Sequence, residues 1–366
     1  MRFSPVFGTP FFLLTDQRRA SQQGHCRPAI YYRVSHIRAT KCLMPTNTRH
    51  LLDPELAAVE QLPVVPISDE NLAAILKARA ELVESLQPLW PVFPDVDVSE
   101  RQVPGNDGAP DVRVLVYRPA AVDADLPVLL WMHGGGFVGG RVDWDSFLIN
   151  PMVSAVGCCV VSVGYRLAPE TAFPGAIHDC YAALKWVHEN GSELRVDAKR
   201  IAIGGLSAGG GLAASLGLMA RDRGEVDVKF QLLLQPMLDD RHATEGYDHP
   251  FAGEYVWRKE YNHFGWSALL GHEPGRDGVS PYASAARAES LAGLPPTFIN
   301  VGAIDLFVEE DIEYARRLIR DGVPTELHVY PGACHAFQGI APGSAVSSTS
   351  DRDLVAALRR VLFSGE

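Results

Sequence analysis

The sequence predicts an α/β protein with a mostly parallel central sheet and helices on both faces. Three observations predict it. Several stretches are short, continuous apolar runs, the pattern of strands buried on both faces. Helix-like segments such as 176–189 and 309–320 alternate with them, and that alternation builds a parallel sheet. At 200–220 an apolar run, a glycine-flanked serine and a second apolar run follow one another without a break. The chain has 366 residues, 47% of them hydrophobic, enough for one large core.

Residues 1–43 mix Arg, Gln, Ser, His and aromatics without a period. The apolar stretch 6–14 is broken by Gly8 and Pro10 and shows no A-x-A cleavage site, which argues against a secretory signal. Met44 is the expected initiator, and 1–43 an N-terminal extension. The alternative is a genuine extra segment covering a cap or a partner chain. From 51 to 90 the residues Leu72, Ile75, Leu76, Leu82, Val83 and Leu86 recur near helical spacing, interrupted by Arg79. Residues 44–95 are therefore expected as helices, with the main unit spanning 96–366.

Within that unit, 111–117 begins with polar–apolar alternation and reads as an early antiparallel strand. Residues 126–132 read as a buried strand that runs into His133-Gly134-Gly135-Gly136. Residues 157–163 read as a central strand. Its adjacent Cys158 and Cys159 point to opposite faces and so read as core residues. Further strands are expected at 230–235, 296–302 and 325–330, and a last helix near 353–363. The segment 241–271 carries Tyr247, Phe251, Tyr255, Trp257, Tyr261, Phe264 and Trp266. These aromatics suit an apolar ligand cleft, and equally suit packing against the core.

The chemistry-bearing pattern is Gly205-Leu206-Ser207-Ala208-Gly209. A serine at a strand-to-helix turn sits in a strained conformation, and the residues two away on either side must lack a Cβ. Glycine-flanked serines also occur in ordinary loops. The earlier glycine run frees backbone N–H groups to meet a developing oxyanion. It could otherwise be a phosphate loop or a plain turn, but no Lys-Ser or Lys-Thr follows it. A serine nucleophile needs a base, and the base needs an acid that fixes its tautomer. His335 follows the expected strand 325–330, and Asp305 follows 296–302. Asp239 and Asp240, after 230–235, compete for the acid role. Glu309, Glu310 and Asp311 are expected to open a helix, where carboxylates suit its positive end.

These motifs resemble the hormone-sensitive-lipase-like carboxylesterases of the α/β-hydrolase fold. The resemblance rests on His133 to Gly136, Tyr165 to Glu170, Phe173-Pro174, Asp179, the turn around Ser207, Asp305 to Phe307, and Gly332 to Phe337. It spans about residues 95 to 360, and its order Ser207, Asp305, His335 is that of the α/β-hydrolase triad. It implies that Ser207 is nucleophile, His335 general base and Asp305 its orienting acid. The N–H groups of Gly135, Gly136 and Ala208 would form the oxyanion hole. His133 would brace the glycine loop, and Glu170 would support the site from behind. The resemblance also implies that 44–95 and an insertion near 241–271 form a helical cap, and that the substrates are short- to medium-chain esters. Three places depart from the pattern: Leu206 and Gly164 stand where acids are usual, and Cys334-His335-Ala336 replaces a small residue, His and Gly. Leu206 is expected to alter the electrostatics beside the nucleophile, and Cys334 to confer sensitivity to thiol reagents.

No H-E-x-x-H or C-x-x-C is present, so no metal and no cofactor is expected. The balance of 33 basic and 44 acidic side chains argues against nucleic acid or anionic membrane as partner. No apolar run approaches the roughly 20 residues of a transmembrane helix. A cytoplasmic enzyme acting on a small-molecule ester is expected, with a homodimer formed through the last helix and an edge strand. His328 reads as a partly buried strand residue, and His178 and His188 as surface or packing residues. The motifs do not separate ester from amide or lactone hydrolysis. A small-molecule receptor on the same scaffold is the alternative from another class, and it would be signalled by loss of a triad residue.

Overall fold

The structure is a computed structural model that describes residues 48–62 and 92–363, together with 64, 70, 71, 74, 75, 77 and 81. The expected extension 1–43 lies outside these residues, as does most of the expected stripe, Leu72, Leu76, Arg79, Leu82, Val83 and Leu86. What is described of 44–95 includes two 3-10 turns, Thr48–Leu51 and Pro54–Gln61.

Among the described residues, eight strands form one sheet in the order β1-β2-β4-β3-β5-β6-β7-β8. They are β1 (Val96–Val103), β2 (Val112–Pro119), β3 (Leu126–Met132), β4 (Cys159–Gly164), β5 (Val196–Leu206), β6 (Val228–Leu234), β7 (Thr297–Gly302) and β8 (Thr325–Tyr330). β2 pairs antiparallel with β1 and β4, and β3 to β8 pair parallel among themselves. The apolar runs therefore mark the parallel strands, as expected. β1 was not legible. Its sequence VDVSERQV lies on the sheet edge and leaves most positions exposed, so no apolar run marks it.

The period of two along each strand divides the core. Val128, Leu130 and Met132 of β3 pack on one face, where the helices α2 (Gly175–Glu189), α3 (Ala208–Arg223) and α5 (Val308–Arg320) contribute. Leu129 and Trp131 pack on the other face, with α1 (Ser146–Val156) and α6 (Ala345–Leu362). Cys158 and Cys159 fall in opposite layers, both fully buried. α6 starts at Ala345 and not near Asp353. Its first turns are serine-rich, and Ser347 and Ser350 are buried there without an apolar signature.

The segment 241–271 contains the helix α4 (Lys259–Leu270). Trp257, Tyr261 and Trp266 join the main core, so packing accounts for these three aromatics. Phe251 remains exposed. No helix among the described residues is long and apolar enough to cross a membrane.

Candidate active site

Parallel strands place their C-terminal ends on one edge of the sheet, where sites of open α/β sheets form. Ser207 follows the last residue of β5, Asp305 lies three residues beyond β7, and His335 five beyond β8. The turn after β5 holds Ser207 at φ +58° and ψ −121°, a conformation uncommon for a residue with a side chain. Backbone bonds fix it there: its N–H donates to Leu234 O at 2.8 Å, and its carbonyl accepts from Gly211 and Met237 N–H, each at 3.0 Å.

The three side chains meet. Nε2 of His335 lies 2.8 Å from Ser207 Oγ, and Nδ1 lies 2.8 Å from Asp305 Oδ2. All three are buried, with Ser207 and His335 4% exposed and Asp305 1%. Asp305 is further held by the N–H of Phe307, which donates to its Oδ1 at 3.1 Å. Since a carboxylate only accepts, Nδ1 carries the proton and the Nε2 lone pair faces the serine hydroxyl. An imidazole in that state can take a hydroxyl proton.

The competing acids are engaged elsewhere. Asp239 pairs with Arg241 at 2.6 Å, and Asp240 with Arg287 at 2.8 Å. Glu309, Glu310 and Asp311 do lie in the first turn of α5, but only Glu309 is exposed. Glu310 is buried and accepts the N–H of Leu238 at 2.7 Å, so it anchors the loop after β6. Asp311 is fully buried, and the low-dielectric surroundings push its carboxyl well above the usual range. His328 is partly buried on β8, hydrogen-bonded to Glu326 at 2.7 Å. His188 is exposed and His178 partly so.

The glycine loop lies beside the serine turn. Gly135 has φ +131° and Gly136 φ +64°, conformations that a side chain would strain. Neither N–H has a protein acceptor among the described residues. Ala208 opens α3, so its N–H has no intrahelical acceptor. His133 is fully buried, and burial pushes its imidazole down to about 4. Being neutral, it donates from Nδ1 to Gly134 O at 2.8 Å. Its ring stacks on Tyr165 at 4.2 Å, and the Tyr165 hydroxyl donates to His133 O at 2.7 Å. The segment after Tyr165 is tied to α2 by Arg166, whose guanidinium pairs with Asp179 at 2.7 Å.

Glu170 does not join this arrangement. It is exposed in the loop before α2 and has no hydrogen bond or ion pair among the described residues. Leu206 is buried at the end of β5. Its side chain packs in the layer with Trp131, Leu232 and Leu234 and reaches the glycine loop, where a Cβ built on Gly134 would lie 3.6 Å from its Cγ. Cys334 is fully buried, and burial pushes its thiol up to about 12, against the expected thiol sensitivity.

Two residues near the loop were not singled out from the sequence. Asp145, the residue before α1, accepts the Trp131 indole N–H at 2.9 Å and the Gly134 N–H at 3.2 Å, bracing the glycine loop from behind. No local motif marks it. Trp257 was one of seven aromatics in 241–271, and only the fold brings its ring 6.3 Å from that of His335.

A family model described as the α/β-hydrolase fold matches residues 129–339. The carboxylesterase NlhH of Mycobacterium tuberculosis is 34% identical over 87% of this chain and 98% of its own length. The esterase LipI of the same species is 35% identical, over 85% of this chain and 95% of its own length. Among solved structures, a bacterial heroin esterase is 40% identical with a TM-score of 0.80, covering 86% of this chain and 98% of that one.

Proposed function

Because the chain belongs to the α/β-hydrolase family, in its hormone-sensitive-lipase-like branch, and is a carboxylic ester hydrolase, we propose that it works through an acyl-enzyme on Ser207. His335 is the general base and Asp305 the group that orients it. The observation that carries this reading is His335 bridging Asp305 and Ser207 at 2.8 Å on either side.

The steps follow from that geometry. Ser207 Oγ attacks the ester carbonyl while His335 Nε2 takes its proton, and Asp305 stabilises the imidazolium. The carbonyl oxygen gains charge where the N–H groups of Gly135, Gly136 and Ala208 are assigned to receive it. Removing one such donor typically costs about 3 kcal/mol of transition-state stabilisation. Collapse breaks the bond to the alcohol, which leaves with the proton from His335. Water then repeats the sequence, and the acid is released from Ser207.

Short- to medium-chain esters are the proposed substrates. The buried serine and the bulk of Trp257 against the glycine loop support a small acyl group. Esters are favoured over amides because an alcohol leaves with less protonation than an amine. Hydrolysis of p-nitrophenyl esters from acetate to palmitate, with Ser207→Ala alongside, tests the reading. Turnover falling with chain length and abolished in the variant is expected. A folded protein inactive across the series, or an active Ser207→Ala, would overturn it.

A further inference from the structure

Behind His335 lies a buried chain of carboxamides that the acyl-transfer steps do not use. Gln235 is the first residue past β6, fully buried, with φ +47°. Its backbone N–H donates to Asn300 O at 2.8 Å, which fixes the start of the side chain. Its Oε1 accepts the N–H of Ala336 at 2.5 Å, and its Nε2 donates to Gln338 Oε1 at 2.7 Å. Gln338 in turn donates from Nε2 to Ser350 Oγ at 3.1 Å, which also accepts from Asn300 Nδ2 at 2.9 Å. Gln338, Ser350 and Asn300 are buried as well.

The network has one direction. Ala336 N–H is a donor, so the atom facing it must be the oxygen of Gln235, and the amide nitrogen must face Gln338. A flipped Gln235 would set two donors against each other, in a site where an unmet polar group costs about 1–3 kcal/mol. Ala336 follows His335 directly and has φ +56°, an uncommon conformation that needs outside support. The peptide leaving His335 is therefore held by Gln235, and through it by β6, β7 and α6.

We infer that Gln235 is a positioning residue for the reaction: its carboxamide fixes the peptide after His335 and so sets the imidazole between Asp305 and Ser207. The inference rests on the reading of His335 as the base. Displacing that peptide would lengthen the hydrogen bonds on both sides of the ring. Positional errors on the order of an ångström cost up to about a hundredfold in rate.

Two variants test it. Gln235→Met keeps the length of the side chain and removes both polar contacts. Gln235→Glu keeps both while protonated, since the carbonyl oxygen accepts from Ala336 and the hydroxyl donates to Gln338. Burial raises a carboxyl's pKa, so the isosteric form is present on the acidic side of the profile. On ionising, the second oxygen would face Gln338 without a proton.

In Gln235→Met, kcat is expected to fall about tenfold or more with KM little changed. In Gln235→Glu, kcat is expected to stay near wild type at low pH and to fall as pH rises, along a limb that wild type lacks. A folded Gln235→Met with wild-type kcat overturns the inference. If Gln235→Met does not fold, Gln338→Met is read instead, with a fall in kcat expected and an unchanged kcat overturning. Ser207→Ala separates the two levels. A wild type without Ser207-dependent turnover removes both readings, whereas a Ser207-dependent wild type with an indifferent Gln235 removes this one alone.

Discussion

Trp257 stands directly against Gly136: a methyl built on the glycine would lie 2.1 Å from Cη2 of the indole. The 241–271 segment thus packs on the loop assigned to receive the oxyanion. A side chain at 136 could enter only by displacing that ring.

Gly136→Ala is therefore expected to act through Trp257. The methyl must displace the ring, and alanine at φ +64° adds about 1–2 kcal/mol of backbone strain. The expected result is a folded protein with kcat/KM for p-nitrophenyl acetate reduced by about a hundredfold. Trp257→Ala removes the obstacle, so the double variant should lose less than the sum of the single losses. Strict additivity in that cycle would show that the two residues do not communicate.

Gly209→Ala should be harsher, because its neighbours are backbone. A Cβ there would lie 2.0 Å from Met132 O and 2.5 Å from His133 O, where β3 enters the glycine loop. Overpacking against such atoms costs about 3 kcal/mol or more. Gly224→Ala is the control: it meets nothing within 4 Å, so only its φ of +65° is strained. Thermal unfolding should show a large loss, or no folded protein, for Gly209→Ala and a small one for Gly224→Ala. Equal losses would sink the steric account.

How much of this was legible in the sequence depended on where each signal sat. Buried parallel strands announced themselves because both faces are apolar, as in β3 with Leu129 and Trp131 on one side and Val128 and Leu130 on the other. The turn around Ser207 was legible because its glycines lie at fixed offsets. β1 was hidden because an exposed edge strand needs no apolar run. Asp145 and Gln235 were hidden for another reason: each acts on a loop distant in sequence, 11 residues away at Gly134 and 101 away at Ala336. Glu170 shows the converse, since a matching motif position did not bring its side chain to the site.

Cys334 should be inert in the native enzyme despite its place beside His335. It is sealed among Leu56, Tyr330 and Phe337, and reaction requires a thiolate that burial disfavours. Incubation with iodoacetamide at neutral pH is expected to leave esterase activity unchanged. Loss of activity that Cys334→Ala prevents would show that the loop opens in solution.

Asp145 should make stability depend on pH in a direction opposite to most carboxylates. Burial raises its pKa from 3.8 to about 6, outweighing the hydrogen bonds from Trp131 and Gly134. Its Oδ1 has no partner among the described residues, so that oxygen can carry the proton without losing a bond. Between about pH 4 and 6 the folded state then holds more protons at this site than the unfolded chain. The sign follows: this group's contribution favours folding at low pH and is lost as pH rises through about 6, by up to about 3 kcal/mol. Asp145→Asn keeps an oxygen for both donors but cannot titrate. Urea unfolding of both proteins should show wild type gaining on the variant as pH falls from about 7.5 to about 4.5. A difference independent of pH would mean that Asp145 has the same pKa folded and unfolded.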